Sequence, residues 1–171
     1  MPIGKMISAA IAAAIGLKAA APGASSTVAA AGRCHTSGLA ASLVREPAAA
    51  GQRYAALRLT NRGPRACTIF GYAGAQLLGR GGRRVPTRIM RDHSRAAHRV
   101  LLRPGQHAAA LWHWGAIPGP GEPMRGPCEP LARVVLITPP DETSQVRRSW
   151  RFGRVCEHGS IEERPFSGPY G

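Results

Sequence analysis

Short apolar runs, separated by glycine and proline turns, follow one another along most of this chain. In the runs 39–44 and 54–60, every second side chain falls on one face, which is the pattern of a half-buried strand. Further runs lie at residues 67–79, 83–90, 99–117, 132–140 and 149–159. No window repeats with the 3.6-residue period of an α-helix. The pattern predicts an all-β fold, an immunoglobulin-like antiparallel β-sandwich, formed by a single domain over residues 32–171.

The cysteines indicate how this sandwich is cross-linked. There are four of them, at Cys34, Cys67, Cys128 and Cys156. An even number without a C-x-x-C motif favours two disulfides over a zinc ribbon or a thioredoxin-like site. Antiparallel pairing of 39–44 with 54–60, continued backward, brings Cys34 towards the turn at Cys67. We therefore predict a Cys34–Cys67 bond.

The second predicted bond follows from the last two runs. If 132–138 pairs with 149–156 so that residue 136 faces about residue 148, then Cys128 falls opposite Cys156. We predict a Cys128–Cys156 bond, so that each disulfide closes the open end of a hairpin. A bond that closes a loop of about 30 residues stabilises a fold by roughly 3–4 kcal/mol.

The N-terminal segment has the composition of an export signal. Lys5 precedes an apolar run at 6–17, and small residues continue to the alanines at 29–31, a plausible cleavage site. The apolar run is shorter than the ~20 residues that span a membrane. We expect residues 1–31 to be a secretory signal peptide with an alanine-rich processing region. The predicted product is secreted or extracellular, with no transmembrane span after removal of the signal.

The charge balance is strongly basic. The chain has 23 Lys plus Arg against 9 Asp plus Glu, and both lysines precede residue 32. The remaining 21 arginines are spread out, without a run of five. A surface of this kind attracts acidic cell-wall polymers, anionic lipid headgroups or nucleic acid. The spacing of the arginines also fits a merely solvated surface.

One stretch resembles a known family. LTNRGPRACTIFGY, at 59–72, resembles the signature of an exported actinobacterial family, the domain of unknown function 4232. The stretch LRPGQHAAA, at 102–110, resembles its second signature, and the four cysteines sit where those of the family sit. Ala73 departs from the family, which usually has proline there. The resemblance covers roughly residues 34–166 and implies an immunoglobulin-like fold at the cell envelope, without a known activity.

Candidate catalytic and metal-binding residues do not form a recognised motif. In an extended segment, the adjacent side chains of Asp92, His93 and Ser94 point to opposite faces, whereas a catalytic triad must converge. His107 and His113 share a strand face but lie about 20 Å apart along it. We therefore expect neither an enzyme nor a site for a metal or a cofactor.

The most distinctive aromatic stretch is LWHWG, at 111–115. Trp112 and Trp114 share a strand face and precede a long glycine- and proline-rich loop at 115–127. One indole is expected in the core, and the other is left open between core and surface. Loops on a rigid scaffold often carry binding, so the candidate ligand surface comprises Trp112, Trp114 and Arg125.

Taken with the charge, these features favour a secreted, non-catalytic binding or structural module of the cell envelope. A secreted enzyme or enzyme inhibitor that uses the 115–127 loop is the first alternative. Nucleic-acid binding through the arginine-rich surface is the second, and the lack of a helix-turn-helix or RNP-like pattern disfavours it. The sequence does not specify the ligand or the oligomeric state.

Overall fold

The fold is known here from a computed structural model, which describes Met1, residues 31–48 and residues 50–168. The predicted signal segment at 1–31 lies almost entirely outside the described residues. Ten strands are found in the described part of the chain, namely β1 (Leu39–Glu46), β2 (Gln52–Asn61), β3 (Cys67–Ile69), β4 (Gly74–Leu78), β5 (Arg88–Arg91), β6 (Val100–Leu102), β7 (His107–Gly115), β8 (Val134–Thr138), β9 (Val146–Ser149) and β10 (Ser160–Glu163). A helical turn, α1 (Cys156–Gly159), precedes β10.

The strands form one large sheet and two small ones. The large sheet has the order β1-β2-β7-β10-β5, and the small sheets are β3-β6 and β4-β8-β9. All strand pairs are antiparallel except β10 with β5, which is parallel. The predicted all-β, largely antiparallel fold is confirmed, while the immunoglobulin-like arrangement of its sheets stays a prediction. No helix among the described residues is both long and apolar enough to cross a membrane.

Alternating side chains place the core against the inner face of the large sheet. Along β7, Ala108, Ala110, Trp112 and Trp114 are buried, while the residues between them are partly exposed. Leu57 and Leu59 of β2 lie on the same side and are fully buried. Burying a large apolar side chain stabilises the fold by about 2 kcal/mol, so this face holds the sheet in place.

The first disulfide is confirmed, and its surroundings explain the signature stretch. Leu39 faces Asn61 at the end of the β1–β2 ladder, as the predicted hairpin requires. The buried Asn61 side chain donates to the carbonyls of Arg65 and Leu102 and accepts the N–H of Gly63, which shapes the turn before β3. The turn places Cys67 next to Cys34, and the two residues form the disulfide bond.

The second disulfide is also confirmed, although the predicted register is wrong by one residue. Leu136 faces Arg147, and the β8–β9 ladder ends at the pair Val134 and Ser149. The Cys128–Cys156 bond therefore does not close the end of that hairpin. It joins the loop before β8 to the turn α1.

The predicted last strand, 149–159, is wrong. The ladder ends at Ser149, and the next residue, Trp150, is buried in the core, where its indole N–H donates to the Gly153 carbonyl at 2.8 Å. Glu157, His158 and Gly159 then have φ angles of 57°, 57° and 76°, which no strand tolerates. The strand that follows, β10, was not predicted.

The other strand predictions are confirmed with shorter bounds. The broken run at 67–79 separates into β3 and β4, and Gly71 lies in the break with a φ of 91°. The predicted edge run at 83–90 contributes the edge strand β5, which begins at Arg88 after Pro86. This start agrees with the lack of a backbone N–H in proline.

Candidate functional site

The candidate ligand surface comprises Trp112, Trp114 and Arg125, with one indole expected in the core and the other left open, and the structure buries both indoles. Trp112 and Trp114 share a face of β7, as predicted, but that face is the inner one, and the two residues are 0% and 1% exposed. The Trp114 ring packs against Trp150 and Phe152, with centroids 5.1 and 5.7 Å away. Both indoles therefore belong to the core, because the rest of the domain covers the inner face of β7. Arg125 is exposed in the loop, and its role as a ligand contact stays a prediction.

The 115–127 loop is held by a buried carboxylate. Glu122 accepts the backbone N–H groups of Gly119, Glu157 and His158 at 2.7–2.9 Å. Burial opposes ionisation, but the N–H groups together lower the pKa of Glu122 below its usual value. Glu122 thereby connects the loop to the left-handed turn α1.

One group of possible metal ligands includes Glu122 and lies beside its hydrogen bonds to the loop and to α1. Glu122, Glu129 and His158 bring ligand atoms within 4.8 Å of one another. The oxygens of Glu122 already accept three amide protons, so they are poor ligands for a further cation. We regard this group as a structural connection.

The segment after β5 does not assemble a catalytic trio. The Asp92 carboxylate accepts the Ser94 backbone N–H at 2.8 Å and the Arg164 Nε at 3.3 Å. Hydrogen bonds from Ser94 lower the pKa of Asp92. The His93 and Tyr72 rings pack in a T-shaped arrangement, with centroids 5.7 Å apart. The Asp92 carboxylate therefore forms its hydrogen bonds with Ser94 and Arg164 and not with His93.

The same segment borders an open surface depression of about 400 Å³, which we call the cationic hollow. Its charged and aromatic lining consists of Phe70, Tyr72, Arg91, His93, Arg95 and Asp141. Three of these residues belong to the stretch RDHSRAAHR, at 91–99, and two follow β3 directly. The four basic and acidic residues of this lining are all exposed, namely Arg91, His93, Arg95 and Asp141.

Two arginines beside the cationic hollow lie over aromatic rings. The Arg91 guanidinium is 5.4 Å from the Tyr72 ring centroid, and the Arg99 guanidinium is 5.8 Å from that of Phe70. Contacts within about 6 Å are attractive and limit the motion of the cation. The Tyr72 hydroxyl donates to the Asp92 carbonyl at 2.9 Å, so the ring beneath Arg91 is itself held. The arrangement pre-orients guanidinium groups at the surface.

A second hollow of about 360 Å³ adjoins the first. The two depressions share Arg95 and Ala96, and the second hollow adds His98 and Arg164. The buried ring of Phe166 lines it, and the Phe166 backbone N–H donates to the Gly71 carbonyl at 2.9 Å. This bond joins the C-terminal segment to the wall of the cationic hollow.

A fully buried carboxyl group lies behind the cationic hollow. Both oxygens of Glu163 accept the backbone N–H of Ala73, at 3.0 and 3.1 Å, and Glu163 pairs with Arg91 in the parallel ladder. Burial raises the pKa of Glu163 to about 7, and the charge of Arg91 acts in the opposite direction. The indole N–H of Trp112 and the backbone N–H of Ala73 also oppose the rise, although the indole forms no hydrogen bond of normal geometry.

These features define a disulfide-linked all-β domain with a cationic, aromatic-lined surface site. Its sequence matches the model of the family described as Domain of unknown function (DUF4232) over residues 34–167. The chain belongs to this family, as its signature stretch and cysteines predicted. Neither the curated proteins nor the solved structures contain a match to it.

Sequence reasoning missed most of this site. In the sequence, Tyr72 stands out only as part of the family signature, and Arg91 and Arg95 belong to the scattered arginines. One local signal was present, because RDHSRAAHR has three arginines and two histidines in nine residues. Its proximity to Phe70 and Tyr72 depends on the tertiary fold.

Proposed function

We propose that this protein is a secreted, non-catalytic module of the cell envelope that binds an acidic polymer through the cationic hollow. The observation that carries the proposal is the pair of arginines held over Tyr72 and Phe70 at the edge of an open depression. Guanidinium groups bind carboxylate and phosphate through paired hydrogen bonds. Groups that are held before binding lose less entropy when the ligand arrives.

Two further observations support this function. The chain pairs all four of its cysteines, which is typical of domains in oxidising, extracytoplasmic compartments. The acidic residue nearest the arginines along the chain, Asp92, is engaged by Ser94 and Arg164. Its charge is therefore partly neutralised. Asp141 is the acidic residue of the lining itself, and the two arginines Arg91 and Arg95 exceed its single charge, so the hollow keeps a net positive charge that attracts polyanions.

Retention on purified cell wall tests the proposal. The disulfide-bonded protein is mixed with the wall material, and the bound fraction is measured over a series of salt concentrations. A double variant, Arg91→Gln with Arg95→Gln, is compared with Arg80→Gln with Arg103→Gln, which removes the same charge at exposed sites outside both hollows.

The proposal predicts salt-sensitive retention that falls about tenfold or more in the first double variant, because each lost charged contact weakens binding by about 1 kcal/mol or more. The second double variant should lose at most about threefold. Equal losses would mean that net charge alone drives retention. No retention of the unaltered protein at low salt would refute envelope binding.

The exposed apolar residues of the 115–127 loop favour a second candidate function. Ile117 and Met124 are 59% and 83% exposed, and Glu122 fixes the loop that carries them. Exposed apolar groups on a fixed loop suit a protein partner, such as an enzyme that the module inhibits. Ile117→Ser with Met124→Ser should then abolish capture of that partner while leaving retention on cell wall unchanged.

A further inference from the structure

We infer that the two hollows are adjoining subsites for successive phosphate groups of a flexible phosphodiester polymer, with Arg95 between them. This inference rests on the proposed function and names the class of its ligand. The linings of the two hollows have two residues in common, Arg95 and Ala96, so the hollows adjoin at this point. Each hollow also has basic side chains of its own: Arg91 and His93 in the first, and His98 and Arg164 in the second.

The convergence of the donors favours phosphate over carboxylate. A carboxylate is planar, so a single guanidinium fork satisfies much of its binding capacity. A phosphate group presents oxygens in several directions and therefore accepts bonds from several cations around it. In the cationic hollow, Arg91 lies on β5, and His93 and Arg95 lie on the segment that follows it. These three side chains line one open volume from different positions along the chain, so a group that accepts bonds in several directions can use more of them than a planar group. Asp141 also lines this volume and carries the opposite charge.

The two subsites should differ in strength. Arg164 is already paired with Asp92 at 3.3 Å, so its charge is partly neutralised in the second hollow. Arg91 has no carboxylate partner among the ion pairs of the described residues, and it is held over Tyr72. The first hollow should therefore bind a phosphate group with the higher affinity. The second hollow should increase the affinity for the polymer, because the neighbouring phosphate is tethered close to it.

The aromatic rings favour a polyol phosphate over single-stranded nucleic acid. Proteins that bind single strands stack bases on open aromatic faces. In this site Arg91 lies over the Tyr72 ring, Arg99 lies over the Phe70 ring, and the His93 and Tyr72 rings pack in a T-shaped arrangement. Each ring therefore already contacts a cation, which leaves less aromatic surface for base stacking than an open ring would offer, although Phe70 stays 44% exposed.

The test uses the full, disulfide-bonded protein and four probes in equilibrium titrations at fixed salt. The probes are glycerol 3-phosphate, poly(glycerol phosphate), polygalacturonate and a single-stranded oligothymidylate. We expect poly(glycerol phosphate) to bind at least about 100-fold more tightly than the monomer, because its second phosphate binds at a high effective concentration. Polygalacturonate and oligothymidylate should bind at least about tenfold more weakly than poly(glycerol phosphate), at equal charge concentration.

Single variants separate the subsites. Arg91→Gln should weaken the monomer and the polymer by a similar factor, whereas His98→Gln should weaken only the polymer. Arg95→Gln should weaken polymer binding more than either of them. Arg103→Gln, outside both hollows, is the matched control. Thermal unfolding of each variant verifies that these exposed substitutions leave the fold intact.

The possible outcomes distinguish this inference from the proposed function. Polymer binding no tighter than monomer binding would overturn the two-subsite arrangement. Equal or tighter binding of polygalacturonate would overturn the phosphate class while leaving acidic-polymer binding in place. Tighter binding of the oligothymidylate would make nucleic acid the ligand. Loss of binding to all three polymers, together with no retention on cell wall, would refute both proposals.

Discussion

Glu163→Gln is expected to change how the stability of this protein depends on pH. Glu163 is fully buried, and its pKa is raised to about 7 from a usual value of 4.5, first because of burial. Between these pH values the folded protein keeps a proton that the unfolded chain releases. The free energy of unfolding is therefore highest below about pH 4.5 with respect to this group, and it falls as pH rises towards 7.

The magnitude follows from the difference between the two pKa values. At 1.36 kcal/mol for each pH unit, a buried carboxyl with these pKa values destabilises the ionised folded protein by about 3 kcal/mol at pH 8. Glutamine has nearly the shape of the protonated acid, and its carbonyl oxygen retains an acceptor for the Ala73 N–H. The variant should match the unaltered protein within about 1 kcal/mol at pH 4 and exceed it by about 2–3 kcal/mol at pH 8.

Urea unfolding at a series of pH values from 4 to 8, with both disulfides intact, measures this difference. Fluorescence of the buried Trp114 and Trp150 reports the transition. Subtracting the unaltered protein from the variant cancels the titration of the other acids. A difference that stays constant from pH 4 to pH 8 would refute the reasoning, because it would show that Glu163 does not change its protonation in the folded protein over this range.

Three further predictions test other parts of the fold. Glu122→Gln should lower the free energy of unfolding, measured by urea unfolding, by roughly 2 kcal/mol, because an amide cannot accept all of the hydrogen bonds that the carboxylate accepts. A loss below about 0.5 kcal/mol would mean that other contacts hold the loop. Gly159→Ala should lower the free energy of unfolding by at least about 3 kcal/mol, since the new Cβ would lie 2.1 Å from the Pro86 carbonyl oxygen. Its control, Gly153→Ala, is also at positive φ but has open space around it, and should lower the free energy of unfolding by about 1–2 kcal/mol. Equal shifts of the thermal unfolding temperature in the two variants would contradict the close approach at Gly159. The pKa of Glu142 is lowered to about 2, first by the Thr36 backbone N–H, so the stabilisation from this carboxylate is complete above about pH 4.5 and is lost as pH falls towards 2. Glu142→Gln should be less stable than the unaltered protein at about pH 6 but not at about pH 2, and an unchanged difference between these pH values would count against the hydrogen bonds that Thr36 donates to this carboxylate.

The sequence determined those strands whose signal is local. In β1, β2, β7 and β8, the alternation of apolar side chains, or a short apolar run between turns, was sufficient to place the strand within a few residues. The β1–β2 hairpin also fixed the Cys34–Cys67 pairing, because antiparallel register follows from two neighbouring runs and the turn between them.

Long-range pairing determined what the sequence did not show. Ser160–Glu163 contains one apolar residue among four, so periodicity could not identify β10. The strand exists because β5 and β7 flank it and because Ile161 reaches the core between them. The turn α1 before it requires three successive positive φ angles, which the Glu122 carboxylate and the Cys128–Cys156 bond help to hold.

The two tryptophans show the same division between local and tertiary information. A period of two predicts that Trp112 and Trp114 share a face, but it does not state which face is covered by the rest of the protein. In the cationic hollow, Tyr72 and Arg91 are 19 positions apart along the chain, and the contact between them depends on the packing around β5 and β10. Side-chain alternation is a local property of the backbone, whereas burial and the convergence of charges depend on which distant segments pack together.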